Sequence, residues 1–162
     1  MSESNEGLQR ASSKAAKSHG DLLVDQRAMA ASMQLFELSR AFPREETYSL
    51  TDQLRRSSRS VAANIAEAWR KRRYAAAFVA KLSDAESEAA ETQVWIEYAV
   101  KCGYLKRAEA AAAYRQYDGV LATLVGMQQP SETWVLRTRQ QRRAANAAHS
   151  SQVTAHPPNA FL

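Results

Sequence analysis

Between Leu50 and Lys101 the chain contains neither glycine nor proline. Apolar residues recur through this stretch at Leu54, Val61, Ile65 and Trp69, then at Phe78, Leu82, Ala85, Ala89, Ile96 and Val100. Steps of three and four residues place them on one side of a 3.6-residue helix, so the stretch predicts amphipathic helix throughout. At ~1.5 Å per residue a single helix of this length would be a rod of roughly 75 Å, too long for a small compact domain. The alternative is a hairpin broken at Arg70-Lys71-Arg72-Arg73-Tyr74, where four consecutive cations repel and the apolar stripe pauses. Folding there sets Arg56 opposite Glu91 and Arg59 opposite Glu88, opposite charges on both rungs.

The rest of the chain supplies two further helices. One begins near Leu22, shows Ala28, Ala31, Leu35, Leu38 and Phe42 on one face, and stops at Pro43. Ser49 with Asp52 three residues on matches a capping box for the next helix, and Thr51 is a second candidate cap. Gly103 can close the third helix in the left-handed conformation. A fourth runs from about Arg107 to Gln128, with Ala110, Tyr114, Tyr117, Leu121, Leu124 and Val125 on its apolar face, and Pro130 follows it. The predicted architecture is all-α, an antiparallel up-down-up-down four-helix bundle with disordered N- and C-terminal tails. Residues 1–22 read as a disordered leader, 23–129 as the bundle, and 130–162 as a mostly disordered basic tail. Within that tail Trp134-Val135-Leu136 is an apolar patch, able to fold back on the bundle or to dock on a neighbour.

An apolar content of 45% in 162 residues suffices for one real core. The net charge of +5 is unevenly placed. Residues 24–136 carry 15 cations and 14 anions, whereas residues 137–162 carry four arginines and no acid. The domain itself is therefore close to neutral. Cys102 is the single cysteine, which fits a reducing compartment. No signal-peptide core and no run of ~20 apolar residues is present, so a soluble cytoplasmic protein with no membrane partner is expected.

Little in the sequence points to catalysis. Glu88 and Glu91 have the spacing of a metal-binding helix, but His19, His149 and His156 all lie in the predicted tails. A di-iron or zinc site therefore lacks its histidines, and no cofactor is expected. Cys102 has no histidine nearby to activate it, and no glycine-rich phosphate loop is present. The expectation is a protein that is not an enzyme.

Two features invite contact with a partner instead. The second helix carries a small polar stripe, Gln53, Ser57, Ser60, Asn64 and Glu67, whose Ser and Asn members are poor helix-interior residues. It reads either as a solvated face or as hydrogen-bonding residues buried in the bundle or a subunit interface. Ser60, Asn64 and Glu67, with Glu91 and Gln93 of the third helix, are the candidate structural or interface polar set. Trp95 and Tyr98 fall off the main apolar face of that helix and are candidate interface residues. The second feature is the corner Arg70, Lys71, Arg72 and Arg73 between Trp69 and Tyr74. It reads either as a solvated turn whose cations complement a helix C-terminus or as a nonspecific nucleic-acid contact. The tail arginines Arg137, Arg139, Arg142 and Arg143 read either as a solubilising tail or as a nonspecific nucleic-acid arm.

The segments Leu50-Thr51-Asp52-Gln53-Leu54-Arg55-Arg56, Ser60-Val61-Ala62-Ala63-Asn64-Ile65-Ala66-Glu67 and Glu91-Thr92-Gln93, with Phe42-Pro43 and Gly103-Tyr104, resemble a known family. They are similar to the four-helix-bundle proteins encoded in intervening sequences of bacterial 23S ribosomal RNA genes. The likeness spans roughly Asp25 to Met127; where that family usually has Gly after the Glu, this chain has Ala68. It implies a homo-oligomer, a pentamer, without known catalytic activity and with a nucleic-acid-linked role. A sister group of similar fold, the accessory variability proteins of diversity-generating retroelements, implies the alternative of a protein-binding accessory factor, such as a reverse-transcriptase partner. The expected partners are thus the chain itself and RNA or DNA held by nonspecific electrostatics.

Overall fold

The computed structural model describes residues 16–154. Its helices are α1 (Leu23–Leu38), α2 (Leu50–Lys71), α3 (Ala75–Lys101), α4 (Arg107–Gln128) and α5 (Arg139–Thr154), with short 3₁₀ turns between α1 and α2 and between α4 and α5. α1 packs on α2, α2 on α3, α3 on α4, and α4 back on α1, which closes a four-helix bundle. Leu35, Leu54, Val61, Ile65, Phe78, Leu82, Ile96, Tyr117 and Leu124 are wholly enclosed at its centre.

The hairpin resolves in favour of two helices. α2 ends at Lys71 and α3 begins at Ala75, so the break falls at the four cations. The charged rungs do not form as expected. Arg56 donates to Gln53 on its own helix at 2.7 Å, and the Arg59 guanidinium turns toward the Phe36 ring of α1. The cross-hairpin ion pair that forms instead is Lys81 with Glu67, at 2.9 Å. Register is set deeper, where the Thr92 hydroxyl on α3 lies 2.9 Å from that of Ser57 on α2.

Helix ends follow from local chemistry. The Ser49 hydroxyl does not cap α2; it bonds to the Glu46 carboxylate, which also accepts the Leu50 N–H at 3.2 Å. An anion at the positive end of a helix serves the same purpose as the expected box. Gly103 takes φ +77° after α3. Its N–H bonds to the Val100 carbonyl at 3.0 Å and the Tyr104 N–H to the Ala99 carbonyl at 2.8 Å, a Schellman closure.

Three sequence expectations need correction. On α4 the enclosed face is Ala110, Ala113, Tyr117, Val120, Leu124 and Met127, while Val125 points outward. Residues 16–22 are structured, with a 3₁₀ turn at His19–Asp21 and Leu22 buried in the core; the remainder of the expected leader lies outside the described residues. The C-terminal segment, expected to be largely unstructured, forms α5. Arg, Gln and Ala favour helix, and Thr138 and Gln141 cap it reciprocally, with the Gln141 N–H on Thr138 Oγ1 at 3.2 Å and the Thr138 N–H on Gln141 Oε1 at 2.9 Å.

Candidate nucleic-acid interface

The turn between α2 and α3 falls within the four cations, and Arg70 and Lys71 lie in the last turn of α2, where cations complement the helix C-terminus. Arg70, Lys71 and Arg73 project from it into solvent. Arg72 behaves differently. Its guanidinium lies 3.5 Å from the centre of the Trp69 ring, and its Nη1 donates to the Trp69 carbonyl at 2.8 Å. Burial, reinforced by Arg70 and Arg73, holds the Arg72 pKa below the ordinary arginine value. Trp69 is itself buried and already faces a cation, so it is not open to a stacking base. Of the two aromatics flanking the corner, Tyr74 is the exposed one.

The C-terminal segment returns to this corner. Trp134 and Val135 pack against the core, and the Leu136 N–H donates to the Arg72 carbonyl at 2.8 Å. Arg137 and Gln141 then share a hollow with Ala75, the first residue of α3, and with the acid Glu132. Arg137 and the first turn of α5 thereby stand beside Arg70–Arg73. Two basic clusters more than sixty residues apart in sequence meet at one end of the bundle. Arg70, Lys71, Arg73, Arg137, Arg139 and Arg143 are all exposed there, and no described carboxylate closes an ion pair with any of them. Sequence reasoning listed both clusters and missed their union. The available signal was the Trp134-Val135-Leu136 patch followed by the Thr138–Gln141 capping pair.

The polar stripe of α2 divides by depth. Ser57 is enclosed with Thr92, and the neighbouring Ser58 lies 3.2 Å from Ser32 of α1. Tyr117 is buried beside Ser58, and burial raises its pKa well above the ordinary phenol value. Ser60 and Asn64 are half-buried; the Asn64 amide donates to the Ser60 carbonyl at 3.0 Å and accepts from Lys81 at 3.3 Å. Glu67 is not buried, with 53% of its side chain exposed. Lys81, held by Glu67 and Asp84, keeps its proton to a higher pH than usual, chiefly through the Glu67 bond. On α3, Gln93 is buried and donates to Asp118 of α4 at 2.7 Å, while Glu91 accepts the Trp95 indole N–H at 2.9 Å. Trp95 is half-buried, its ring 5.7 Å from that of Tyr98, and Tyr98 and Val94 are exposed beside it.

Among the described residues no three His, Cys, Asp or Glu side chains gather as a metal-ligand set, and no helix is long and apolar enough to cross a membrane. Cys102 is exposed at the end of α3.

Residues 20–126 match the family described as 23S rRNA-intervening sequence protein. A solved structure from Bacteroides thetaiotaomicron, a protein of unknown function from the S23 ribosomal protein family, aligns with a TM-score of 0.60 at 24% identity. That alignment covers 66% of this chain and 96% of the other, and it speaks for a shared fold. No curated protein matches. The family match ends before Trp134, so half of the basic end is contributed by residues outside it.

Proposed function

The chain belongs to the 23S rRNA-intervening sequence protein family, and we propose that it is a non-enzymatic bundle that self-associates and holds nucleic acid by its phosphates. The observation that carries this reading is the Leu136–Arg72 backbone bond, which joins the two basic clusters into one surface. Six exposed cations without carboxylate partners form an electrostatic footprint on an otherwise balanced domain. Binding on such a surface draws its free energy from released counterions, so it tolerates sequence and weakens steeply with salt. Repetition around an oligomer, a pentamer by family resemblance, multiplies weak contacts into avidity.

The test is RNA binding by the whole chain across a salt series. If all six cations meet phosphates of a single strand, log Kd should change with log salt with a slope of about 4 per site. A chain that retains no RNA even at low salt contradicts the proposal. In that event the exposed Val94 and Tyr98 beside Trp95 favour the second reading, an accessory factor that binds a protein such as a reverse transcriptase.

A further inference from the structure

The turn before α2 and the first three turns of that helix enclose a concave surface lined by Tyr48, Thr51, Asp52, Arg55, Arg56 and Arg59. It is separate from the Arg70–Arg73 corner. We infer that this surface binds the phosphate and base of a nucleotide unit, with the three arginines holding the phosphate and Tyr48 stacking on the base.

Three independent observations support the assignment. The arginines are not used by carboxylates, because none of the ion pairs among the described residues involves them. Arg56 lowers the Glu88 pKa from a distance, against the larger effects of burial and Glu91 that raise it, without closing on Glu88. Arg55 is also fixed in place, and Arg59 lies beside it. The Arg55 Nε donates to Ser39 at 2.8 Å, and both guanidiniums face the Phe36 ring, at 4.8 Å and 5.9 Å. A guanidinium held by its Nε and its face still offers its terminal N–H donors, the fork that suits phosphate oxygens.

The second observation is Thr51. The residue is only 7% exposed and borders this surface, and its hydroxyl, enclosed beneath the surface, has no hydrogen-bond partner. Buried hydroxyls are normally satisfied, and a ligand oxygen on this surface would supply the missing partner once the Thr51 side chain rotates outward.

The third is Tyr48, which is 94% exposed at the rim. An aromatic ring left almost wholly in water contributes little to the fold, whereas stacking on a base covers one of its faces and is tolerant of base identity. Asp52 stands in the same concavity, so three cations face one acid. A singly charged phosphodiester therefore fits better than a neutral sugar.

This inference refines the nucleic-acid reading but rests on a different surface, and the test separates the two. Full-length protein is titrated with adenosine 5′-monophosphate and with a fluorescent five-nucleotide oligoadenylate at low salt. Variants compared are Arg56→Gln with Arg59→Gln, Tyr48→Ala, Tyr48→Phe, and charge reversal of Arg70, Lys71 and Arg73. The double glutamine variant should weaken oligonucleotide binding at least tenfold. Tyr48→Ala should weaken it severalfold, Tyr48→Phe should restore it, and the corner variant should leave saturable pentanucleotide binding in place. Equal affinity for the mononucleotide identifies a free nucleotide as occupant, and a strong preference for the pentamer identifies a single strand. The inference is overturned if neither probe saturates the wild type. It is equally overturned if the groove variants bind as wild type does while the corner variant alone loses binding. All the altered side chains lie on the surface, and thermal melts of each variant establish that the fold is retained.

Discussion

Gly103 is the residue whose backbone the fold constrains most plainly. At φ +77° a Cβ would meet no neighbour within 4 Å, so the cost of a side chain there is conformational alone. Gly103→Ala should destabilise the bundle by about 1–2 kcal/mol, the penalty of an L-residue in the left-handed region; denaturant midpoints will read it directly. Glu46 offers a test by pH. Hydrogen bonds from Ser49 and the Leu50 N–H, with the Tyr104 hydroxyl at 3.1 Å, hold its pKa below the ordinary carboxylate range. A lowered pKa stabilises the fold at neutral pH, and that share is lost as pH falls through the folded-state value. Wild type should therefore lose part of its thermal stability below about pH 4.3, and Glu46→Gln should lack that part and melt lower at pH 7. The glycine was legible from its place after an apolar stripe. The cap was not, because a Ser-x-x-Asp spacing cannot reveal that a glutamate three residues upstream folds back first.

At the scale of elements, the α2–α3 hairpin is held by a small polar contact in an apolar seam. Ser57 and Thr92 are both enclosed, so removing one hydroxyl leaves the other with only a carbonyl of its own helix. Ser57→Ala and Thr92→Val should each cost about 1–3 kcal/mol, and the double variant should recover part of that sum. A double-mutant cycle with no coupling would mean the hydroxyls merely satisfy carbonyls of their own helices, Leu54 and Glu88. Asn64 should matter less. It is half-exposed, and Lys81 retains Glu67 and Asp84 without it. Asn64→Leu should shift stability by under about 1 kcal/mol, checked by the same denaturant curves. The four bundle helices and their approximate boundaries were readable because apolar spacing is local. The ion-pair rungs were not, because Arg59 is drawn sideways to Phe36 on α1, a contact that pairwise alignment of two helices omits.

For the whole molecule, the decisive feature is long-range. Nothing local in Arg70–Arg73 announces Arg137, and the basic tail lacks the apolar stripe by which the other helices were recognised. The chain brings them together through Trp134 and Val135 on the core and Leu136 on Arg72. Self-association is a separate prediction at this scale. Light scattering at micromolar concentration should give several times the chain mass of 18.0 kDa, five times for a pentamer, and replacing Val94 and Tyr98 by lysine should lower it. Nucleic-acid binding depends most directly on the unity of the basic end. Equilibrium titration of a short RNA should be run on wild type, on a chain ending at Leu136, and on charge reversal of Arg70, Lys71 and Arg73. One composite surface predicts that either change alone weakens binding at the basic end at least tenfold, while binding on the separate Arg55–Arg59 surface is unaltered. Two independent patches would show the opposite: each variant would lose one class of site and leave the affinity of the other intact.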